Sequence, residues 1–327
     1  MRLGGDQITT ERPTKQNICT VIVTYHPDRE FFERAMDVAD LTDSLVVVDN
    51  RSNSRSRGML SDLVSLPNVH LILNDENLGV ATALNQGVRM AMEQGYQWAL
   101  LLDQDTAPES FIVQTLASVY DNLEQKNGLA IIGSNYYDKN TGRALFDRSS
   151  ATANSWVERK AVITSGSLLS LRALAAIGTF RDELFIDLVD IEYCLRTRSM
   201  GFTVVQASKP TMKHALGTST LHRVPWRKIA LEASNHSPLR RYYMARNHVV
   251  LAREYPRAFR EVCQEEYGRS ARVYFAVFKE SHWVFTAAYV LTIMSTLIVL
   301  FEDQKISKLY HILLGVWHGV VGKMGKR

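Results

Sequence analysis

The 327 residues of this chain predict an α/β fold, a mostly parallel doubly wound sheet flanked by helices. Three observations carry that prediction. Short continuous apolar runs recur through the first half, segments with helical spacing separate them, and polar residues gather where the runs stop. Runs of this kind suit strands buried on both faces of a parallel sheet. Strand and helix alternating at this pitch make βαβ units, and such folds bind ligands at the carboxyl ends of their strands.

The runs come in order as "NICTVIVTYH" (Asn17 to His26), "SLVVVDN" (Ser44 to Asn50), "VHLILN" (Val69 to Asn74), "WALLLDQD" (Trp98 to Asp105) and "LAIIGSN" (Leu129 to Asn135). In "LGVATALNQGVRMAMEQ", Val80, Leu84, Val88 and Ala91 share one face of a helix. The first run ends in Thr24, Tyr25 and His26, the second in Asp49 and Asn50, the third in Asn74, and the fourth in Asp103 and Asp105. Polar groups thus converge on one rim of the expected sheet. Each strand end alone also suits a chain entering a turn.

An apolar share of 46% and a charged share of 22% are ordinary for a globular chain. Cys19, Cys194 and Cys263 are few, odd in number and far apart, which argues against a disulfide framework and for a reducing compartment. There is no CxxC pairing of the zinc type. "MRLGGDQITTERPTKQN" has no apolar core, so it is not read as a secretory signal but as a frayed polar tail, 1–16. From His222 to Val273, eleven Lys/Arg stand against five Glu, a local charge of +6 within a net +4. That excess suits an anionic ligand, a lipid surface or nucleic acid, or simply a solvated helical face.

The pair Asp103 and Asp105 raises the sharpest chemical question. Two carboxylates ~6 Å apart repel by about 3 kcal/mol at an effective dielectric of ~20. A divalent cation would offset that, and hard oxygen ligands suit Mg²⁺ or Mn²⁺, which completes its shell with water and substrate phosphates. An Asx-turn would account for one aspartate but not both. Neither GxxxxGK[ST] nor GxGxxG follows the first strand. Bound phosphates would therefore rest on the metal and on basic side chains. A second acidic cluster opens "LFIDLVDIEYCLRTRSMGF" (Leu184 to Phe202), where Val189, Tyr193, Arg196 and Met200 are helically spaced and Gly201 reads as a stop. Asp187, Asp190 and Glu192 lie at its start. Helix capping explains Asp187 or Asp190, and so does a general base at Asp190.

Together the motifs resemble the family 2 glycosyltransferases of the GT-A fold. They are "TVIVTYHPD", "VVVDNRSN", "ENLGVATALNQG", "LLDQDT", "ITSGSLLSLRAL" and "LFIDLVDIEYCLR". "DQDT", "YYMARN" and "GVWHGVVGKMGK" resemble most the bacterial rhamnosyltransferases of cell-surface polysaccharide (O-antigen type) assembly. The resemblance implies a catalytic GT-A domain over 17–235 and a helical, membrane-associating region over 236–327. It implies inverting, metal-dependent transfer of L-rhamnose from dTDP-L-rhamnose to a hydroxyl of a polyprenyl-diphosphate-linked glycan.

The resemblance also carries roles to matching positions. Asp49 would contact the base, with Thr24, Tyr25 and Asn50 around it. Asn77, Gly79 and Asn85 would line the nucleotide and sugar, and Asp103, Gln104 and Gly166 would complete the donor site. Asp105 and His214 would hold Mg²⁺ or Mn²⁺. Asp190 would be the base, with Asp187 as the other choice because Val189 stands where the family commonly has Glu. Beside the resemblance, fixed positive charge at Arg240, Arg241 and Arg246 would assist the diphosphate, although "RRYYMARN" equally suits a helix whose tyrosines pack in the core. A cytoplasmic enzyme at the inner membrane face is expected, with no nucleic-acid partner and a possible homo-oligomer.

The uncharged stretch between Glu280 and Glu302 is long enough for a span candidate. Its hydroxyl residues, and the flanking Lys305, Lys308, Lys323, Lys326 and Arg327, suit a helix in the membrane plane better. A buried domain helix or an oligomer contact fits the same pattern. Other readings of the whole chain are the same fold with another nucleotide sugar, an Asp-nucleophile phosphotransferase acting through Asp103, and a non-enzymatic binder of anionic ligands.

Overall fold

The computed structural model describes residues 10–139, 142, 144–145, 155–214, 219–223, 230–277 and 283–327. Residues 1–9 of the expected tail and 280–282 of the uncharged stretch lie outside them. By internal packing the chain divides into two compact units. The first comprises Met1–Arg181 with Arg196–Ala215, and the second Asp182–Leu195 with Leu216–Arg327.

The first unit begins with β1 (Ile18–Thr24), α1 (Arg29–Ala39), β2 (Ser44–Asp49), α2 (Ser54–Leu63), β3 (Val69–Leu73), α3 (Val80–Glu93) and β4 (Trp98–Asp103). It continues through β5 (Ala107–Pro108), α4 (Ile112–Asp121), β6 (Leu129–Asp138), β7 (Trp156–Glu158), β8 (Ser167–Ser170) and α5 (Leu171–Ile177). Helix α6 (Val189–Ser199) has residues assigned to each unit and is followed by β9 (Thr203–His214). The second unit holds β10 (Ser219–Arg223), β11 (Ala230–Ser234), α7 (Pro238–Glu254), α8 (Pro256–Glu266), α9 (Gly268–Val277), α10 (Trp283–Phe301) and α11 (Lys305–Val321).

The large sheet runs β3-β2-β1-β4-β8-β6-β9-β5, with β7 on β9. Its first four strands are parallel, as the apolar runs predict. All six residues of β2 are buried. Beyond β4 the sheet turns mixed, because β8 is antiparallel to both β4 and β6. The signals there are weak. Strand β8 is only "SLLS", and β9 contains Pro210, which a central strand tolerates only at an irregularity. The β6–β9 register indeed shifts beside Pro210.

Local chemistry sets the βα turns. Asp28 and Asn53 cap α1 and α2, each accepting a backbone N–H three residues on at 2.9 Å. Helix α3 buries Leu84, Val88 and Ala91 as its spacing predicts. It packs so close to β1 that a Cβ on Gly87 would collide with Val21. The end of the tail is not frayed. Thr10 and Glu11 accept from Tyr120 and Trp98 at 2.5 and 2.9 Å, and Arg12 is bidentate to Asp121.

Among the described residues of the basic run, Arg257 and Arg272 are exposed, while others are drawn to acceptors within the second unit. Arg253 donates to the carbonyls of Gly319 and Val320 at the end of α11, and Arg260 to that of Phe275. Arg241 and Lys308 enclose the buried carboxylate of Glu302.

Candidate active site

Parallel register brings the polar strand ends of the first unit together, with Thr24 opposite Asp49 and Val23 opposite Asp103. The chain breaks away after Asp103 in a turn closed by Thr106 N–H donating to the Asp103 carbonyl at 3.1 Å. Both aspartate side chains stay open to solvent, Asp103 at 46% and Asp105 at 51%. The last residue of β9, His214, is buried beside them. Its Nε2 lies 3.9 Å from Asp103 Oδ2 and its Nδ1 3.7 Å from Asp105 Oδ1. One ligand atom from each residue falls within 4.8 Å of the others.

A divalent cation fits this set. Two carboxylates and an imidazole are a hard-to-borderline donor group, and the open carboxylate edges leave positions for water or phosphate oxygens. Burial holds the His214 imidazole below its ordinary pKa, against the pull of Asp105, with Lys139 deepening the depression. Neutral imidazole is the form that ligates. The ring is fixed from behind, since Thr106 Oγ1 lies 3.1 Å from Nδ1 and 2.5 Å from Ser165 Oγ. Ser165 in turn receives the Asp103 N–H at 3.1 Å, and Lys139 Nζ donates to the Asp105 carbonyl at 2.6 Å. These three supporting residues escaped the sequence reading. Thr106 and Ser165 lay inside motifs, "DQDT" and "ITSGSLLSLRAL", without being singled out, and Lys139 lay in none.

Other expected positions are more internal. Asp49 is fully buried, accepting from Thr24 Oγ1 at 3.2 Å, Ser52 N at 2.9 Å, the Ser52 hydroxyl and Arg57 Nε at 3.3 Å. It organises the turn after β2. Asn50 Oδ1 receives Leu78 N at 2.8 Å and its Nδ2 donates to Asn77 Oδ1 at 3.0 Å. Asn77 also receives the Gly79 N–H at 2.9 Å, where φ of +87° suits glycine as α3 begins. Tyr25 is half exposed at the rim.

Four further expected positions are engaged within the fold itself. Gln104 spends its side chain on the Tyr25 backbone, accepting from N at 2.8 Å and donating to O at 3.3 Å, so it straps β1 to the Asp103 turn. Asn85 is fully buried, and its amide pairs with the Phe180 N–H and carbonyl at 2.9 and 2.7 Å. Gly166 (φ +75°) is a packing glycine, since a Cβ there would lie 2.5 Å from Met212 Sδ. Arg246 is fully buried, with Nη1 on the Gly325 carbonyl at 2.6 Å and Nη2 on those of Glu183 and Leu184 at 2.9 and 2.8 Å. Its neighbours are paired within the second unit too, Arg241 with Glu302 and Arg240 in a bidentate contact to Asp187 at 3.0–3.2 Å.

Arg246 acts within the second unit. Phe185, Asp187 and Leu188 all have φ between +61° and +65°. Non-glycine residues in that region cost on the order of 1–3 kcal/mol each unless surrounding structure over-determines them. Asn247 supplies the constraint by donating its Nδ2 to the carbonyls of Leu184, Ile186 and Asp187 at 3.1, 2.9 and 2.8 Å. Its Oδ1 accepts from Arg246 Nε at 3.0 Å, and Phe185 stacks on Tyr243 with centroids 4.8 Å apart. "YYMARN" is therefore a clamp on the loop that carries Asp187 and launches α6. Asp190, in the first turn of α6, takes the Ile191 N–H on Oδ1 at 2.8 Å.

A sheet of this topology with a carboxylate pair at its rim has the GT-A architecture, and solved structures agree on the fold. A GalNAc-T7 complex with UDP, GalNAc and Mn²⁺ matches with TM-score 0.51 and 14% identity over 64% of this chain, which spans only 44% of that one. The mannosyltransferase PcManGT from Pyrobaculum calidifontis, in complex with GDP-Man and Mn²⁺, matches with TM-score 0.53 and 14% identity over 98% of this chain and 92% of its own. The family 2 glycosyl transferase model matches residues 20–169. The dTDP-rhamnosyl transferase RfbF of Shigella flexneri is 32% identical over 248 residues, 73% of this chain and 80% of that protein. The chain belongs to the family 2 glycosyltransferases.

Proposed function

We propose that this glycosyltransferase moves L-rhamnose from dTDP-L-rhamnose, with inversion, to a hydroxyl of a polyprenyl-diphosphate-linked glycan at the cytoplasmic membrane face. The single observation that carries the reading is the Asp103–Asp105–His214 cluster on the sheet rim of a chain 32% identical to a dTDP-rhamnosyl transferase. The nucleoside would lodge over the Thr24–Asp49 edge beside Tyr25, with Asn50, Asn77 and Gly79 shaping the wall. Asp105 and His214 would hold Mn²⁺ or Mg²⁺ with Asp103 beside them. When bound, the cation neutralises the diphosphate leaving group.

Asp190 is the better general base of the two aspartates. Asp187 is bidentate to Arg240, so its carboxylate is engaged in fixing the loop. Asp190 projects from the first turn of a helix that this loop positions. A base in that place removes the acceptor proton as the hydroxyl attacks the anomeric carbon, a contribution typically of 10²–10⁴-fold.

Calorimetry with the diphosphates of thymidine, uridine and guanosine, with and without Mn²⁺ or Mg²⁺, tests the reading on wild type and Asp105→Ala. Metal-dependent preference for thymidine diphosphate, lost in the variant, is expected. Preference for another base keeps the glycosyltransferase and discards rhamnose. Binding of no diphosphate by folded protein with metal present defeats the assigned site.

A further inference from the structure

We propose that the outer face of α11 is a docking surface for an anionic lipid bilayer. Ile306, Tyr310, Leu313 and Trp317 follow one another at spacings of four, three and four residues and are 87%, 58%, 70% and 61% exposed. Val320 and Val321 extend the stripe. Large apolar side chains at this spacing normally face a core. Here the opposite face faces the core. Lys308, Ile312, Gly315 and Gly319 are buried there.

The orientation of α11 is not interchangeable. A Cβ on Gly315 would collide with the Tyr242 carbonyl, and one on Gly319 would stand 2.8 Å from that of Arg246. Only the glycine face can approach α7 so closely, so the apolar stripe must look outward. An outward stripe of this size calls for an occupant.

Charge identifies that occupant. From Lys305 to Arg327 there is no Asp or Glu. Lys305 is exposed at one end of the stripe, and Lys323, Lys326 and Arg327 are exposed at the other. Cations flanking an apolar face with Trp and Tyr on it suit a helix lying at the headgroup boundary of an anionic membrane. A second copy docked by the same face would bring these cations against their equivalents. The uncharged α10 buries Thr286, Ala287, Tyr289, Val290, Met294 and Ile298 and exposes Val284, Val299 and Leu300. Helix α11 adds the flanking cations and the exposed Trp and Tyr. This inference does not rest on the donor assignment.

The test is flotation of the full chain with vesicles of equimolar phosphatidylcholine and phosphatidylglycerol, and with vesicles of phosphatidylcholine alone. Wild type should float with the anionic vesicles, float weakly with the neutral ones, and detach as salt rises. The double variant Leu313→Ser/Trp317→Ser should lose at least about tenfold in partitioning, since each loses buried apolar area in the bilayer. Lys323→Glu/Lys326→Glu should lose the preference for anionic vesicles. Unchanged thermal melting by circular dichroism shows that the variants are folded. Failure of folded wild type to float, or undiminished flotation of the Leu313/Trp317 variant, overturns the proposal. A dimer in solution that Leu313→Ser dissolves, with no vesicle binding, also overturns it by giving the face to a second copy.

Discussion

The Asp103–Asp105 rim and the Glu183–Leu188 loop use polar chemistry in opposite ways. At the rim, two carboxylates stay about half exposed, with the buried His214 beside them and Ser165 and Lys139 bonding the main chain that carries them. In the loop, three residues with positive φ are held by buried donors whose hydrogen bonds run to main-chain carbonyls. The rim keeps acceptor capacity for something that arrives from solvent. The loop keeps none to spare and fixes the backbone from which Asp187 and α6 project. Exposed charge marks where a ligand binds, whereas saturated buried charge marks where geometry is enforced.

Asp105→Ala probes the contrast hardest. Metal-dependent transfer should fall by about 10³-fold, because a metal contributes several kcal/mol of charge stabilisation at the leaving group. The urea midpoint should barely move, as expected of an exposed side chain. A large loss of stability would make the rim structural and erase the distinction.

Asn247→Ala should do the reverse. Three carbonyls lose their donor and Arg246 loses an acceptor, for a cost of about 2–4 kcal/mol in urea unfolding. Turnover should drop while diphosphate affinity by calorimetry stays the same. Arg246→Lys sharpens the point with a smaller effect of about 1–2 kcal/mol, since lysine cannot reproduce a planar fork on several carbonyls. If Arg246 held the diphosphate, affinity would fall; unchanged affinity with reduced turnover keeps it in the clamp.

Thr106→Val removes the hydroxyl behind His214 Nδ1 and should weaken Mn²⁺ binding about tenfold, measured by titration, because groups behind a ligand orient it. The last effect, on the pH dependence of stability, concerns His236. Burial, and then Arg240, Arg241 and Lys308, push its pKa down to about 3. A histidine with a depressed folded pKa binds fewer protons folded than unfolded. Its contribution to stability is therefore present above about pH 6.5 and is lost as pH falls toward 3. His236→Gln should flatten that part of the pH–stability curve measured by urea unfolding.

Much of this protein is written in local sequence. Branched apolar runs determined the four parallel strands because burial on both faces demands them. The doublet of aspartates after β4 marked the rim because no core accepts such a pair. The role of "YYMARN" was not legible, because Arg246 and Asn247 find their carbonyls about sixty residues away in sequence, at Glu183 to Asp187. The mixed half of the sheet also stayed hidden, since "SLLS" becomes a strand only between two partners that pair with it. His214 matched a motif, but its approach to Asp103 and Asp105 depends on β9 ending beside the turn after β4. Sequence also supplied both the glycine and the apolar positions of α11. Which of its faces looks outward was decided only when the main chain of α7 came too close for any side chain but hydrogen.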